Sequence, residues 1–195
     1  MEIIIHRINT IDELNKIESK FGTEIDIRAW GSNLIINHEP FQDGEKLIDY
    51  LDEYSHGTLV LNIKEAGIED EVLRLVRERS HLKSYFLLDV EFPYLYSASN
   101  NGEKNIAVRF SEVESIRIAE RFVGAVDWVW IDTNTIFPVD ESNKDTLDQF
   151  KKCLVCPERW GRSKDIFDYR RRMDLINFKL DAVMTSLEYF PLWNN

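Results

Sequence analysis

The chain has 195 residues, enough for one domain with a sizeable core and few for two. Hydrophobic residues make up 44% and charged residues 30%, a globular balance that argues against disorder. Acids outnumber bases 35 to 24 for a formal charge of -11, so the average surface repels a nucleic-acid backbone and no nucleic-acid partner is expected. Taken in chain order, short β-branched runs alternate with amphipathic stretches. Strands are expected at 2–6, 24–29 with the short 34–37 beside it, 58–63, 84–90, 105–109, 126–131, 153–156 and 182–184. Between them, helices are expected at 10–20, 44–54, 68–79, 91–98, 112–123, 143–152 and 163–180. Thr10 followed by Glu13 forms a capping box, and Ser163 is a weaker start signal.

Alternation of this kind builds a parallel sheet with crossover helices, and eight main strands in one chain predict a (β/α)8 TIM barrel occupying residues 1–195 as a single domain. The length lies at the lower limit of about 200 residues for that fold, so the crossovers must be shortened. The stretch after the fourth main strand is expected to hold only one or two helical turns before Asn100-Asn101-Gly102, and LEYFPLWNN is a fragment of a last crossover. An open doubly wound sheet is the alternative, but its glycine-rich first turn is missing. No apolar run approaches the roughly 20 residues needed to span a bilayer. The segment MEIIIHRINT lacks a basic lead and a signal-type apolar region. No transmembrane segment and a cytoplasmic location are therefore expected. Cys153 and Cys156 form a lone C-x-x-C; on a strand, residues three apart face opposite ways, so both are expected reduced and buried.

The chemistry-bearing residues collect at strand ends. His6 and Arg7 follow the first strand, Glu24 and Asp26 alternate on the second, and His38 and Glu39 follow the short run beside it. Catalytic groups of a parallel barrel come from the carboxyl ends of different strands, so these converge on one mouth. Glu24 and Asp26 share a strand face, about 7 Å apart, and suit a hard divalent cation, Mg²⁺ or Ca²⁺; the bland alternative is an ion pair with Arg7 or Arg28. Two histidines flanking a carboxylate pair suit general acid/base chemistry. Lys64 with Asn62 before it, Arg109, Asp89, Glu91, Asp132 and Glu158 also fall at or just after strand ends, a mixed-charge mouth for an anionic substrate. Trp30 and Trp160 are candidates for stacking on a sugar, while at least one of Trp128 and Trp130 is expected in the core.

The order His6-Arg7, Glu24-x-Asp26, His38-Glu39 and Asn62-Ile-Lys64 resembles the glycerophosphodiester phosphodiesterases, a branch of the phospholipase C-like phosphodiesterase barrels. The likeness covers roughly the first third of the chain. It implies His6 and His38 as the acid/base pair, Glu24, Asp26 and the Asn62 position at the metal, and Arg7 and Lys64 on phosphate; Arg109 is a further phosphate candidate from its own strand end. Ile8 replaces the glycine that follows His-Arg in the family, Glu39 replaces an aspartate, and Asn62 replaces the third metal carboxylate. Asp89 is the residue expected to restore that lost charge. The insertion after the second strand is short, so the alcohol recognised differs from choline or ethanolamine esters. The function implied is metal-assisted hydrolysis of a small glycerol-, polyol- or sugar-type phosphodiester, in cell-envelope glycan or lipid metabolism. The alternatives are a non-catalytic barrel that binds a phosphorylated ligand, and a metal-independent lyase that forms a cyclic phosphate.

Overall fold

The computed structural model describes residues 1–194 and divides into two compact units, one of residues 4–95 and the other of residues 1–3 with 96 onward. Up to residue 95 the elements run β1 (Glu2–Ile5), whose first two residues belong to the second unit, α1 (Ile11–Leu14), β2 (Gly22–Trp30), β3 (Asn33–Ile36), β4 (Glu45–Lys46), α2 (Leu47–Glu53), β5 (Leu59–Ile63), α3 (Glu69–Arg77) and β6 (Tyr85–Leu88). Strands β1, β2, β5 and β6 are parallel in that order, with Ile4 opposite Gly22, Asp26 opposite Asn62 and Asn62 opposite Leu88. The LVLNI run of β5 is buried throughout, as expected of a strand covered on both faces. Strand β2 runs past its partners to Trp30, turns through Gly31 at φ 61, and returns antiparallel as β3. The two-residue β4 then pairs with β3 inside the expected 44–54 helix. Gly44 permits this approach, because a Cβ there would stand 2.3 Å from the Ile36 carbonyl oxygen.

The chain passes through α4 (Phe92–Asn100) into the second unit, which holds β7 (Ala107–Phe110), α5 (Ile116–Phe122), β8 (Trp128–Ile131), α6 (Lys144–Leu147), β9 (Lys151–Val155), α7 (Ile166–Leu175) and β10 (Ala182–Thr185). Strands β7 to β10 are parallel and ordered consecutively, and the Glu2 amide of β1 donates to the Asp181 carbonyl just before β10. Each unit is thus a set of parallel strands with crossover helices. The eight main strands are those expected; β4 was not. Among the described residues no helix is long and apolar enough to cross a membrane.

The helices are shorter than their apolar periods. Helix α1 has its Thr10–Glu13 capping box but ends at Leu14, because Lys16 and Ile17 bond three residues back in tight turns. Those turns still bury Ile17 and Phe21, so the apolar spacing is satisfied without a helix. Helix α6 likewise gives way to turns at Gln149 and Phe150, and β9 begins at Lys151 rather than at Cys153. The expected 163–180 helix is a 3₁₀ turn at Ser163–Asp165 followed by α7. It stops at Asn177, left-handed at φ 51, where the Phe178 amide bonds back to Met173 and that of Asn177 to Asp174, a Schellman ending. Helix α4 exceeds the one or two turns expected and stops at Asn101-Gly102. The last fragment forms a 3₁₀ turn at Phe190–Trp193; its final residue, 195, lies outside the described residues. Cys153 and Cys156 are free and buried, and Trp128 and Trp130 are both in the core.

Candidate functional site

Beyond Ile5 the chain leaves the sheet, and Arg7 adopts a left-handed conformation at φ 54. For a residue with a Cβ this costs on the order of 1 kcal/mol. The cost is offset by what the turn achieves: the Arg7 amide donates to Glu24 Oε2 at 2.9 Å, and the Ile8 amide to the Glu24 carbonyl at 3.0 Å. Glu24 and Asp26 lie on one face of β2 and are almost fully buried. Asn62, from the neighbouring strand, donates through Nδ2 to Glu24 Oε1 at 2.7 Å. His6 Nε2 stands 3.8 Å from Glu24 Oε2.

The two acids differ in environment. Burial, and then the neighbouring Asp26 charge, raise the Glu24 pKa to about 7 against the opposing hydrogen bonds from Asn62 and Arg7. Burial also works against a charged Asp26, but the Asn9 amide and Lys64 outweigh it and hold that carboxyl below its ordinary value. Asn9 clamps Asp26 in both directions, donating through Nδ2 to Oδ2 at 2.8 Å and accepting the Asp26 amide at 2.9 Å. Lys64 Nζ lies 3.0 Å from Asp26 Oδ1, an ion pair. The same ammonium is 4.0 Å from Asp89 Oδ2, and Asp89 is itself left-handed at φ 59.

The β2–β3 hairpin carries His38 back beside Asp26: Ile27 pairs with Ile36, and the Asn37 amide donates to the Asp26 carbonyl at 2.9 Å. His38 Nδ1 is 2.6 Å from Glu39 Oε1, and its Nε2 is 2.5 Å from Arg7 Nη2. A guanidinium only donates and a carboxylate only accepts, so these partners assign the tautomer: Nδ1 carries the proton and Nε2 offers its lone pair. Arg7 Nε also approaches Asp26 Oδ2 at 3.8 Å, as the ion-pair alternative anticipated. Arg28 instead donates to backbone, to the His38 carbonyl at 2.9 and 3.2 Å and the Lys64 carbonyl at 3.4 Å, tying both loops to β2.

His6, Arg7, Glu24, Asp26, His38, Asn62, Lys64 and Asp89 all belong to the unit of residues 4–95. The contacts place Asp89 against Lys64. In the other unit, Arg109 donates through Nε to Asp132 Oδ2 at 3.0 Å and lies 3.9 Å from Glu114. Asn9 escaped the sequence argument. Its signal was its place two residues beyond Arg7, just before the capping box.

Asn62 Oδ1 is buried and accepts no hydrogen bond, and Asp26 Oδ1, on the residue directly opposite in register, meets the Lys64 ammonium at 3.0 Å. Two hard oxygens beside a second carboxylate fit a divalent cation. No group of three or more His, Cys, Asp or Glu suited to a metal occurs among the described residues.

No family model matches the sequence, and no curated protein matches it. The fold is similar to that of a solved glycerophosphoryl diester phosphodiesterase from Parabacteroides distasonis, with a TM-score of 0.62 at 13% identity, covering 94% of this chain and 81% of that one. The chain has that fold.

Proposed function

We propose that the protein is a phosphodiesterase that cleaves a small glycerol-, polyol- or sugar-type phosphodiester. The observation that carries this reading is the contact series Glu39–His38–Arg7, which fixes an imidazole lone pair beside a cation. His38 Nε2 would take a proton from the attacking water or hydroxyl, while Glu39 holds the ring and stabilises the imidazolium that forms. His6, whose Nε2 stands 3.8 Å from Glu24 Oε2, would protonate the leaving alkoxide. Arg7 and Lys64 would bind the phosphoryl oxygens and share the charge that develops on them. Glu24, Asp26 and Asn62 would hold a divalent cation, Mg²⁺ or Ca²⁺. When bound, it would supply Lewis-acid polarisation of the phosphoryl group.

A metal-independent lyase remains the second reading, favoured by one observation: Lys64 already sets a fixed ammonium 3.0 Å from Asp26. Phosphorus NMR of a water-soluble glycerophosphodiester incubated with the protein tests both. A phosphomonoester that disappears with chelator is expected. A cyclic phosphate formed in the presence of chelator selects the lyase, and an unchanged diester with and without added cation removes the catalytic reading. Arg109, a candidate for phosphate from the sequence, pairs with Asp132 and Glu114 in the other unit and is given no part in this site.

A further inference from the structure

A cavity of about 380 Å³ opens beside α7 in the unit of residues 1–3 and 96 onward. Its apolar wall includes Met173 of α7, Phe178 and Leu180 of the turn into β10, and Trp193 of the last 3₁₀ turn. Arg170, Asp174 and Lys179 line it as well. Specific contacts hold these walls in place. The Arg170 guanidinium donates to the Leu192 carbonyl at 2.6 Å, which ties the last turn to α7, and the Trp193 indole Nε1 donates to Cys156 Sγ at 3.2 Å. Phe178 is fixed by its amide, which bonds to the Met173 carbonyl at 2.8 Å, and by Lys152 Nζ, which lies over its ring at 5.7 Å from the centroid. The space is thus built into the fold, as a small-molecule site usually is.

Charge selects the occupant. Residues 159–179 hold seven Lys and Arg against three Asp, in a chain whose formal charge is -11. Two of those cations, Arg170 and Lys179, line the cavity against a single acid, Asp174, so the site favours an anion. A guanidinium and an ammonium together suit a carboxylate. An inorganic anion would leave the apolar wall wet, whereas an anion with a hydrocarbon body removes that wall from water, and the flexible Met173 adapts to its shape. We propose that this cavity binds a small amphipathic carboxylate, its hydrocarbon body against Met173, Phe178, Leu180 and Trp193 and its charged end on Arg170 and Lys179. None of these residues has a role in the phosphodiester cleavage proposed above, so the two readings stand or fall separately.

Calorimetric titration of the full chain with octanoate, kept below the concentration at which it forms micelles, tests this. Wild type is expected to bind one molecule, and to bind acetate, which lacks the hydrocarbon body, and octylammonium, which reverses the charge, at least roughly tenfold more weakly. Lys179→Glu should weaken octanoate binding roughly tenfold, because it turns an attraction into a repulsion of similar size. Asp174→Asn should strengthen it roughly threefold by removing the one acid of the lining. Lys179 and Asp174 are both exposed, so neither substitution disturbs the core. Absence of octanoate binding overturns the proposal, as does binding that both substitutions leave unchanged, which would place the ligand elsewhere. Octylammonium bound more tightly than octanoate, or acetate bound as tightly, also overturns it, by contradicting the charge or the apolar half of the assignment.

Discussion

Asn9 decides how Asp26 can be buried with its charge. Its side chain satisfies one carboxylate oxygen and the Asp26 amide at once, in a strand where neither group meets water. Truncation strands both, and a buried group left unpaired costs about 1–3 kcal/mol. Asn9→Ala should therefore destabilise the protein by about 2–4 kcal/mol in urea denaturation, and Asn9→Asp by more, since it sets a second carboxylate against the first. A change below about 0.5 kcal/mol would mean that water replaces the amide. At the other end of the site, His38→Ala and His6→Ala should each lower turnover of a good substrate by roughly 10² or more, the scale for losing a positioned acid or base. Glu39→Gln keeps the shape of the contact but removes the charge that stabilises an imidazolium. Its kcat should fall while KM stays nearly constant, and an unchanged kcat would remove Glu39 from the orienting role.

Strand β9 carries Cys153, Cys156 follows directly after it, and burial sets the chemistry of both thiols. Burial raises the Cys153 pKa well above the ordinary 9.0, and that of Cys156 to about 12 with help from the Glu158 charge. A thiol whose folded pKa exceeds its unfolded one contributes stability that is fully present below the unfolded value and lost as pH rises through the folded one. The thiols' contribution should thus be constant below about pH 9 and fall between about 9 and 12, a fall that the Cys153→Ala, Cys156→Ala double variant should show less steeply. Neither thiol should react with an alkylating reagent at neutral pH before the protein unfolds. Strands of this sort were legible because a strand covered on both faces reads as an unbroken apolar run. Helix lengths were not, since Ile11, Leu14, Ile17 and Phe21 carry a helical period that short turns bury equally well. Asn177 was a stop signal inside the expected 163–180 helix, but its meaning depends on a left-handed φ that the apolar pattern does not encode. Within the 4–95 unit the strand-end residues His6, Arg7, Glu24, Asp26, His38, Asn62, Lys64 and Asp89 share one series of contacts, whereas Arg109, Asp132 and Glu158 lie in the other unit and Asn9, in a turn, had no periodicity to mark it.

Across the whole molecule, the acidic excess makes cation binding and stability one question. Asn62 Oδ1 is buried without a donor and Asp26 Oδ1 has the Lys64 ammonium at 3.0 Å; a bound cation would serve both oxygens, so it should favour the folded chain by mass action. With Asn62 in place of a third carboxylate the affinity should be weak, because affinity for a hard cation rises with the number of charged ligands. Asn62→Glu should raise that affinity, yet it should also destabilise the cation-free protein, since it buries another acid beside Glu24, whose own pKa burial and Asp26 already raise to about 7. The variant should therefore melt below wild type in chelator and gain more from millimolar Mg²⁺ or Ca²⁺ than wild type does. Calorimetric titration of the same proteins gives the affinities separately from the melting curves. Equal affinities in the two proteins would show that position 62 does not set the charge balance of the site. Tight binding by wild type that disappears in Asp89→Asn would instead place that balance at Asp89, 4.0 Å from the Lys64 ammonium.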